Sequence, residues 1–143
     1  MSCVFCNKAI LERQKLYETN TECVLYNIRK SNRGRCVVVP KRHVSSIREL
    51  SDKEIASFFQ TVRLVASKLS EYLKPAGINY GLNEGEKAGQ TIEHLHFHII
   101  PRFKDDKLPE FHIFHGNPKI KQNWPEEKYL SLVKEFEKLF KSR

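Results

Sequence analysis

Short apolar segments separated by polar turns occupy the N-terminal part of the chain, a pattern that predicts β-strands. Lys15 to Glu18 and Glu22 to Ile28 are partly β-branched or aromatic, and the polar residues between them predict a hairpin turn. Asn32-Arg33-Gly34 predicts a second turn. The mostly apolar run from Arg35 to Val39 follows, and it predicts a buried strand that Pro40 ends.

Apolar residues at helical spacing predict two helices. Ser51 and Glu54 form a capping box, and one apolar face follows it: Ile55, Phe58, Phe59, Val62, Val65 and Leu69. We expect Pro75 and Gly77 to end this helix. A second helix is predicted to begin at Pro125, with an apolar stripe formed by Tyr129, Leu132, Val133, Phe136, Leu139 and Phe140.

The run from His94 to Ile100 predicts a strand with three histidines on one face. Side chains alternate between the faces of a strand, with a rise of about 3.3 Å per residue. His94, His96 and His98 are therefore expected to share a face, roughly 7 Å apart. The other face, directed to the core, would carry Leu95, Phe97 and Ile99. We expect Pro101 to end this strand.

Together these elements predict an α+β domain. Ile78 to Leu82 is a further strand, followed by a polar loop from Asn83 to Gln90 that contains two glycines. The result is a mainly antiparallel sheet of about five strands, with one long central helix and a C-terminal helix. A length of 143 residues is typical of one domain. Between Phe103 and Asn123 the pattern is unclear.

Composition and charge narrow the possible classes of protein. The chain shows neither an export signal at its start nor a run of about 18 apolar residues, so we expect a soluble, cytoplasmic protein. Its four cysteines would then be thiols or metal ligands. The net charge of +8 suits polyanionic ligands, from nucleotides to nucleic acid. Nucleic acid is not favoured as the main ligand, because no long basic run is present.

Three interpretations of the histidine run predict different chemistry. The strand could lie on the surface with incidental histidines, although clustered histidines usually mark a site. Two or three of them could bind one metal ion, which strand geometry allows. Alternatively, one histidine could be a covalent nucleophile, since neutral imidazole is a good nucleophile near pH 7.

The segments Leu82 to Gly85 and Gly89 to Arg102 closely resemble the histidine triad (HIT) family. The resemblance extends to Val38-Val39-Pro40-Lys41-Arg42-His43, similar to a strand-end motif of that family, and to Cys3-Val4-Phe5-Cys6, similar to its zinc-containing bacterial and archaeal branch. It implies a HIT-like fold. It covers residues 3–102 of a single domain spanning 1–143, with 103–143 as a weakly matched C-terminal extension in which His112 and His115 are interpreted as incidental.

The resemblance implies nucleotidyl transfer, with His96 attacking the α-phosphorus of a nucleotide derivative and water then hydrolysing the nucleotidyl-histidine. His98 and the loop before it would supply donors to the phosphoryl oxygens and the leaving group. Substrates would be purine nucleoside phosphoramidates, dinucleoside polyphosphates or adenylylated conjugates. The family also implies a homodimer with sheets joined edge to edge. A catalytically weak purine-nucleotide-binding regulatory module is the alternative, which sequence cannot separate from an enzyme.

The same resemblance implies two sets of binding residues. For the nucleotide these are Leu25, Asn27, Ile28, Asn83, Gly89, Gln90, Thr91 and His98, with Asn27 at the ribose and the two aliphatic residues at the purine. A zinc ion would be held by Cys3, Cys6, His43 and His94. Such a tetrahedral site has no open position and is therefore structural, so that His94 would be a ligand. Cys23 and Cys36 are interpreted as buried small residues.

One position departs from the family pattern. A Gly-His pair usually enters the third strand, whereas this chain has Gly34-Arg35. A histidine that supports the active-site network is therefore missing. Arg35 would either place a fixed positive charge near the ligand phosphates or point to solvent, and the substitution puts rate and substrate preference in question.

Overall fold

Five strands and three α-helices lie in the part of the chain that the computed structural model describes, residues 3–108 and 123–141. The strands are β1 (Lys15–Glu18), β2 (Glu22–Tyr26), β3 (Cys36–Pro40), β4 (Gly77–Gly81) and β5 (Phe97–Arg102). The helices are α1 (Lys8–Gln14), α2 (Asp52–Leu73) and α3 (Glu126–Lys141). Short 3-10 turns occupy Val4–Cys6, Ile47–Glu49 and Glu86–Ala88. His112 and His115 lie outside the described residues.

All strand pairs are antiparallel, and their order in the sheet is β1-β2-β3-β5-β4. The predicted hairpin is confirmed as β1 and β2, although β2 ends at Tyr26, two residues earlier than expected. Gly34 adopts a φ of +92° in the turn before β3, a conformation that favours glycine. The α+β fold predicted from the sequence is confirmed.

The main core lies between one face of the sheet and helices α2 and α3. Its members include Val24, Val38 and Ile99 from the sheet, together with Phe58, Val62, Val65 and Leu69 from α2 and Tyr129, Leu132 and Phe136 from α3. Burial of each such side chain contributes about 1.5–3 kcal/mol. Phe59, predicted on the buried face of α2, is instead 38% exposed. The opposite face of the sheet is left to a smaller cluster and to the site described below.

The predicted start of α2 is confirmed, because the capping box of Ser51 and Glu54 is present and the helix begins at Asp52. Helix α1 was not predicted. It has only seven residues, too few for a clear apolar period, and its sequence signal is the cap: the Asn7 side chain accepts a hydrogen bond from the Ile10 N–H at 3.1 Å.

Two predictions about the histidine strand were wrong. Regular pairing begins at Phe97, so His94 and His96 precede the strand. The strand also continues through Pro101, which pairs with Ile78, to Arg102. The backbone polar groups of Pro101 face the β3 side of β5, but β3 pairs with β5 only as far as Ile99. The N–H that proline lacks therefore removes no hydrogen bond from the sheet.

A buried carboxylate fixes the chain just after β5. Asp106 accepts hydrogen bonds from the Arg102 guanidinium at 2.9 and 3.0 Å, and its side chain is 7% exposed. It also accepts from the Asn32 amide at 2.8 Å and from the Phe103 N–H at 2.8 Å. The hydrogen bonds from Arg102 hold the pKa of Asp106 well below its usual range.

We expect Asp106→Asn to lower the free energy of unfolding by about 3 kcal/mol at pH 7, because Arg102 then loses a buried anionic partner. The folded-state pKa is depressed, so the stabilisation is complete above the unfolded value of about 4 and is lost as the pH falls below it. Urea unfolding at pH 7 and at pH 3 should show a smaller difference at the lower pH. The exposed neighbour Asp105→Asn is the matched control, and an equal effect from both variants would contradict this account.

Candidate active site and metal centre

A cavity of about 420 Å³ opens on the face of the sheet opposite α2 and α3. This volume lies in the range typical of small-molecule sites. Three segments wall it: the N-terminal turn with α1, the loop after β2, and the loop that precedes β5. Among the described residues, those that line it and carry chemistry are Arg13, Gln14, Asn27, Arg29, Lys30, Ser31, Arg35, Asn83, Thr91, His96 and His98.

His96 is held by its own backbone and by an aromatic neighbour. Its Nδ1–H donates to the carbonyl oxygen of His94 at 2.8 Å, and its ring centroid lies 5.3 Å from that of Phe5. A carbonyl can only accept, so the proton of the neutral ring is on Nδ1 and Nε2 carries a lone pair. Burial lowers the pKa of His96, and the charge of Arg35 lowers it further. The ring can therefore act as a nucleophile.

His98 lies beside His96, with the two ring centroids 5.1 Å apart. It projects from β5 opposite Val37 and is 7% exposed. Its Nδ1 faces Nη2 of Arg35 at 3.4 Å. Since a guanidinium only donates, this contact places the proton of a neutral His98 on Nε2. His98 can thus donate a hydrogen bond through Nε2.

The loop before β5 brings backbone and polar groups to the cavity. Gly89 has a φ of +98°, a left-handed conformation suited to glycine, and lines the cavity with Asn83 and Thr91. Gln90, also predicted to bind nucleotide, does not line it. Its side chain instead closes the loop, accepting from the Gly85 N–H at 2.7 Å and donating to the Ser45 carbonyl at 3.3 Å.

Of the residues predicted to bind the nucleoside, two line the cavity and one does not. Asn27 and Ile28 line the cavity. The Asn27 side chain also caps a local turn, with Oδ1 accepting from the Arg29 N–H at 2.8 Å. Leu25 does not line the cavity. It is fully buried in the smaller core cluster with Phe5 and other residues, because the middle of β2 is covered there.

The cavity is positively charged. Four basic residues line it, namely Arg13, Arg29, Lys30 and Arg35, and no aspartate or glutamate is among its described lining residues. Sequence analysis singled out only Arg35 of these four. The positions of the others depend on α1, which was not predicted, and on an irregular loop. The asparagine cap of α1 was the one local signal that could have indicated Arg13.

A second cluster lies beside the first and joins residues far apart in sequence. The Sγ atom of Cys3 lies 3.4 Å from Nδ1 of His94, and that of Cys6 lies 3.3 Å from Nδ1 of His43. Cys6 Sγ is also 3.6 Å from Nδ1 of His94, and the two Nδ1 atoms are 3.1 Å apart. All four ligand atoms lie within 4.8 Å of one another.

These distances fit a zinc ion. Tetrahedral Zn–S and Zn–N bonds place neighbouring ligand atoms about 3.3–3.8 Å apart, and the observed contacts are close to that range. Nε2 of His94 donates to the Pro40 carbonyl at 2.8 Å, so its Nδ1 presents a lone pair to the cluster. Burial lowers the pKa of His94, which favours the neutral ligand form. The donor set is therefore suited to zinc.

The three histidines of the run thus belong to two sites. His94 faces the cysteines, whereas His96 and His98 face the cavity. The backbone before Phe97 is not a regular strand, so His94 can point to a different site from His96 and His98. In a regular strand all three side chains would share one face. Among the described residues, the groups that could hold a metal ion form only the one cluster around His94, so the arrangement does not support one ion shared by all three histidines.

The sequence from residue 9 to residue 105 matches the HIT domain family. The chain belongs to this family. A bis(5'-adenosyl)-triphosphatase from Dictyostelium discoideum is 30% identical to this HIT protein over 129 residues, which cover 90% of this chain and 82% of the relative. An adenosine 5'-monophosphoramidase from Schizosaccharomyces pombe is 35% identical over 104 residues, covering 71% and 75% of the two chains.

A solved structure supports the same grouping. The crystal structure of a zinc-bound histidine triad family protein from Mycobacterium smegmatis matches this HIT protein with a TM-score of 0.72 at 27% identity, covering 99% of this chain and 96% of the other. Across residues 3–108 and 123–141, none of the helices is both long and apolar enough to span a membrane.

Proposed function

We propose that this HIT protein hydrolyses purine nucleotide derivatives through a covalent nucleotidyl-His96 intermediate. The observation that carries the proposal is the hydrogen bond from His96 Nδ1–H to the His94 carbonyl, which leaves Nε2 as a nucleophile inside the cavity. The names of the two relatives, a dinucleoside triphosphatase and a nucleoside phosphoramidase, support two candidate substrate classes. Adenylylated conjugates are a third.

The chemistry follows from the position of each group. Attack forms a bond between Nε2 of His96 and the α-phosphorus, and the bond to the leaving group breaks with its electron pair. Water then attacks the same phosphorus and releases the nucleotide and free imidazole. His98 Nε2–H, Thr91 and the backbone at Gly89 can donate to the oxygens on which negative charge develops.

We further propose that Cys3, Cys6, His43 and His94 hold a structural zinc ion. All four positions of a tetrahedral ion would be filled by protein, so when bound the ion would stabilise the fold rather than activate water. It would tie the N-terminal turn to the segment before β5. That turn carries Phe5, which contacts His96, so the zinc site and the cavity are physically joined.

The oligomeric state and the domain boundaries remain predictions. The homodimer expected from the resemblance would use a free sheet edge. Strand β4 is at one end of the strand order, and Tyr80 on it is 48% exposed, which is compatible with edge-to-edge pairing. The single domain of residues 1–143 likewise remains a proposal.

A turnover assay tests the proposed function. The protein would be incubated with an adenosine 5'-phosphoramidate and with diadenosine triphosphate, and release of AMP would be followed before and after brief chelation. We expect the chelated protein to keep its turnover, provided that thermal melting shows it to be still folded. Absence of AMP from both substrates would favour the binding module instead, and turnover that returns only with added metal would favour a metal-dependent hydrolase.

A further inference from the structure

Arg35 is a buried cation without an anionic partner in the described part of the chain. It is 7% exposed and lines the cavity beside His98. Its two side-chain contacts in the described part of the chain are long and involve no carboxylate, 3.4 Å from Nη2 to His98 Nδ1 and 3.4 Å from Nη1 to Ser31 Oγ. Its Nε–H is buried and has no hydrogen-bond partner among the described residues. Buried charges are normally paired, so this guanidinium has unused capacity to bind an anion.

The surroundings of Arg35 increase this deficit of negative charge. The other basic residues lining the cavity are Arg13, Arg29 and Lys30, and no described lining residue is acidic, although Arg13 is paired with Glu126 outside the cavity lining. Burial lowers the pKa of Arg35 to about 10, with a further contribution from the charge of Arg29, so the group stays charged near pH 7. A cavity with several cations and no carboxylate is complementary to a ligand with more than one negative charge.

Building on the proposed function, we propose that Arg35 binds a phosphate of the substrate next to the one attacked by His96, and so selects phosphoanhydride-linked nucleotides over phosphoramidates. A guanidinium can bind phosphate oxygens through two parallel N–H groups, and Nη1 and Nη2 of Arg35, each with only one 3.4 Å contact to a described side chain, offer such a fork. His98 contacts both Arg35 and His96, so the guanidinium lies one side chain away from the nucleophile.

The two substrate classes make different demands on this cation. When a phosphoanhydride reacts, the bridging oxygen leaves with the bonding electron pair, and the departing phosphate gains a negative charge that Arg35 would stabilise. When a phosphoramidate reacts, the leaving nitrogen has to acquire a proton. Arginine stays protonated in proteins and cannot supply one. Arg35 therefore favours the first reaction and gives little help to the second.

Kinetics with Arg35→Gln, Arg35→Lys and wild type would test the selection. We expect Arg35→Gln to lower kcat/KM for diadenosine triphosphate by about 10- to 100-fold, the usual effect of losing charge-assisted hydrogen bonds. The value for an adenosine 5'-phosphoramidate should change by less than about 3-fold, and Arg35→Lys should retain part of the anhydride activity. Arg48→Gln removes the same charge from a side chain that is 84% exposed and lies outside the cavity lining, so it is the matched control.

Binding measurements separate this proposal from the proposed function. In phosphate-free buffer, wild type should bind ADP at least about 10-fold more tightly than AMP, and Arg35→Gln should lose that difference. If this difference in affinity is found but no substrate is turned over, the phosphate site is supported and the proposed enzymatic function is rejected. Equal loss of activity on both substrates, or an unchanged preference for ADP in Arg35→Gln, would overturn the proposal. Thermal melting checks the fold: we expect Arg35→Gln to melt no lower than wild type, since an unpaired buried charge is removed.

Discussion

Replacing His96 with alanine is expected to reduce kcat/KM for nucleotide hydrolysis by more than about 10⁴-fold on every substrate that the protein accepts. The reason is that neither of the other two histidines of the run is placed to substitute for it. His98 has its Nδ1 directed at Arg35, and His94 faces Cys3 and Cys6. Initial rates of AMP release from wild type and variant, measured at equal protein concentration, give the comparison.

Nucleotide affinity serves as the control for this variant. AMP should still bind to His96→Ala within about a few-fold of wild type, because the residues around the phosphate and nucleoside are unchanged. Zinc content should also be unchanged, since His96 is not part of the Cys3, Cys6, His43 and His94 cluster. Residual turnover above about a tenth of the wild-type rate would mean that another group is the nucleophile.

Cys3→Ser or Cys6→Ser is expected to cause the largest loss of stability. Each change removes one thiolate from a four-ligand cluster, and the remaining three would bind zinc far more weakly. A metal present at about 1,000 times its Kd stabilises the folded state by about 4 kcal/mol, which is the loss we expect. Urea unfolding and elemental analysis of the same samples would measure stability and zinc content together.

The chain offers a matched control for these variants. Cys23 is 4% exposed, lies in the smaller core cluster and is not one of the four clustered ligands. Cys23→Ser should cost some stability through burial of a hydroxyl group but should keep the full zinc content. Retention of zinc in both Cys3→Ser and Cys6→Ser would refute the structural site. Loss of zinc from the His96→Ala control described above would equally contradict the assignment.

Local signals explain the parts of the fold that could be predicted. The turn between β1 and β2 and the capping box at Ser51 each depend on residues a few positions apart, so they can be read without tertiary information. Helix α1 has seven residues, and such a short helix depends mainly on tertiary packing, so the Asn7 cap was its only local signal. Because α1 was not predicted, the part of the cavity wall that carries Arg13 was not predicted either.

The candidate site was only partly accessible from sequence. Alternation placed His96 and His98 together on one side of β5, but it wrongly grouped His94 with them, because regular strand structure starts only at Phe97. The partners of His94 are Cys3 and Cys6, 91 and 88 residues away. Spacing alone cannot reveal such a contact, and here it was the family resemblance that implied it.

Arg35 shows a different limit. Its residue type was visible as a departure from the family pattern, yet solvent and the ligand phosphates were both possible destinations for its side chain. Burial decided between them, and burial depends on how the loop carrying Ser31 packs over the start of β3. The consequence is a charged group in the cavity where the family usually has a titratable one.

Trapping the intermediate tests the central claim most directly. Wild type would be mixed with a substrate labelled at the α-phosphorus, quenched within one turnover in alkali, where phosphorus–nitrogen bonds to histidine persist, and digested for mass spectrometry. The account predicts a nucleotidyl group on the peptide containing His96, assigned to that ring and absent from His96→Ala. Rapid AMP release with no labelled histidine, or with the label on His98 or another residue, would contradict it.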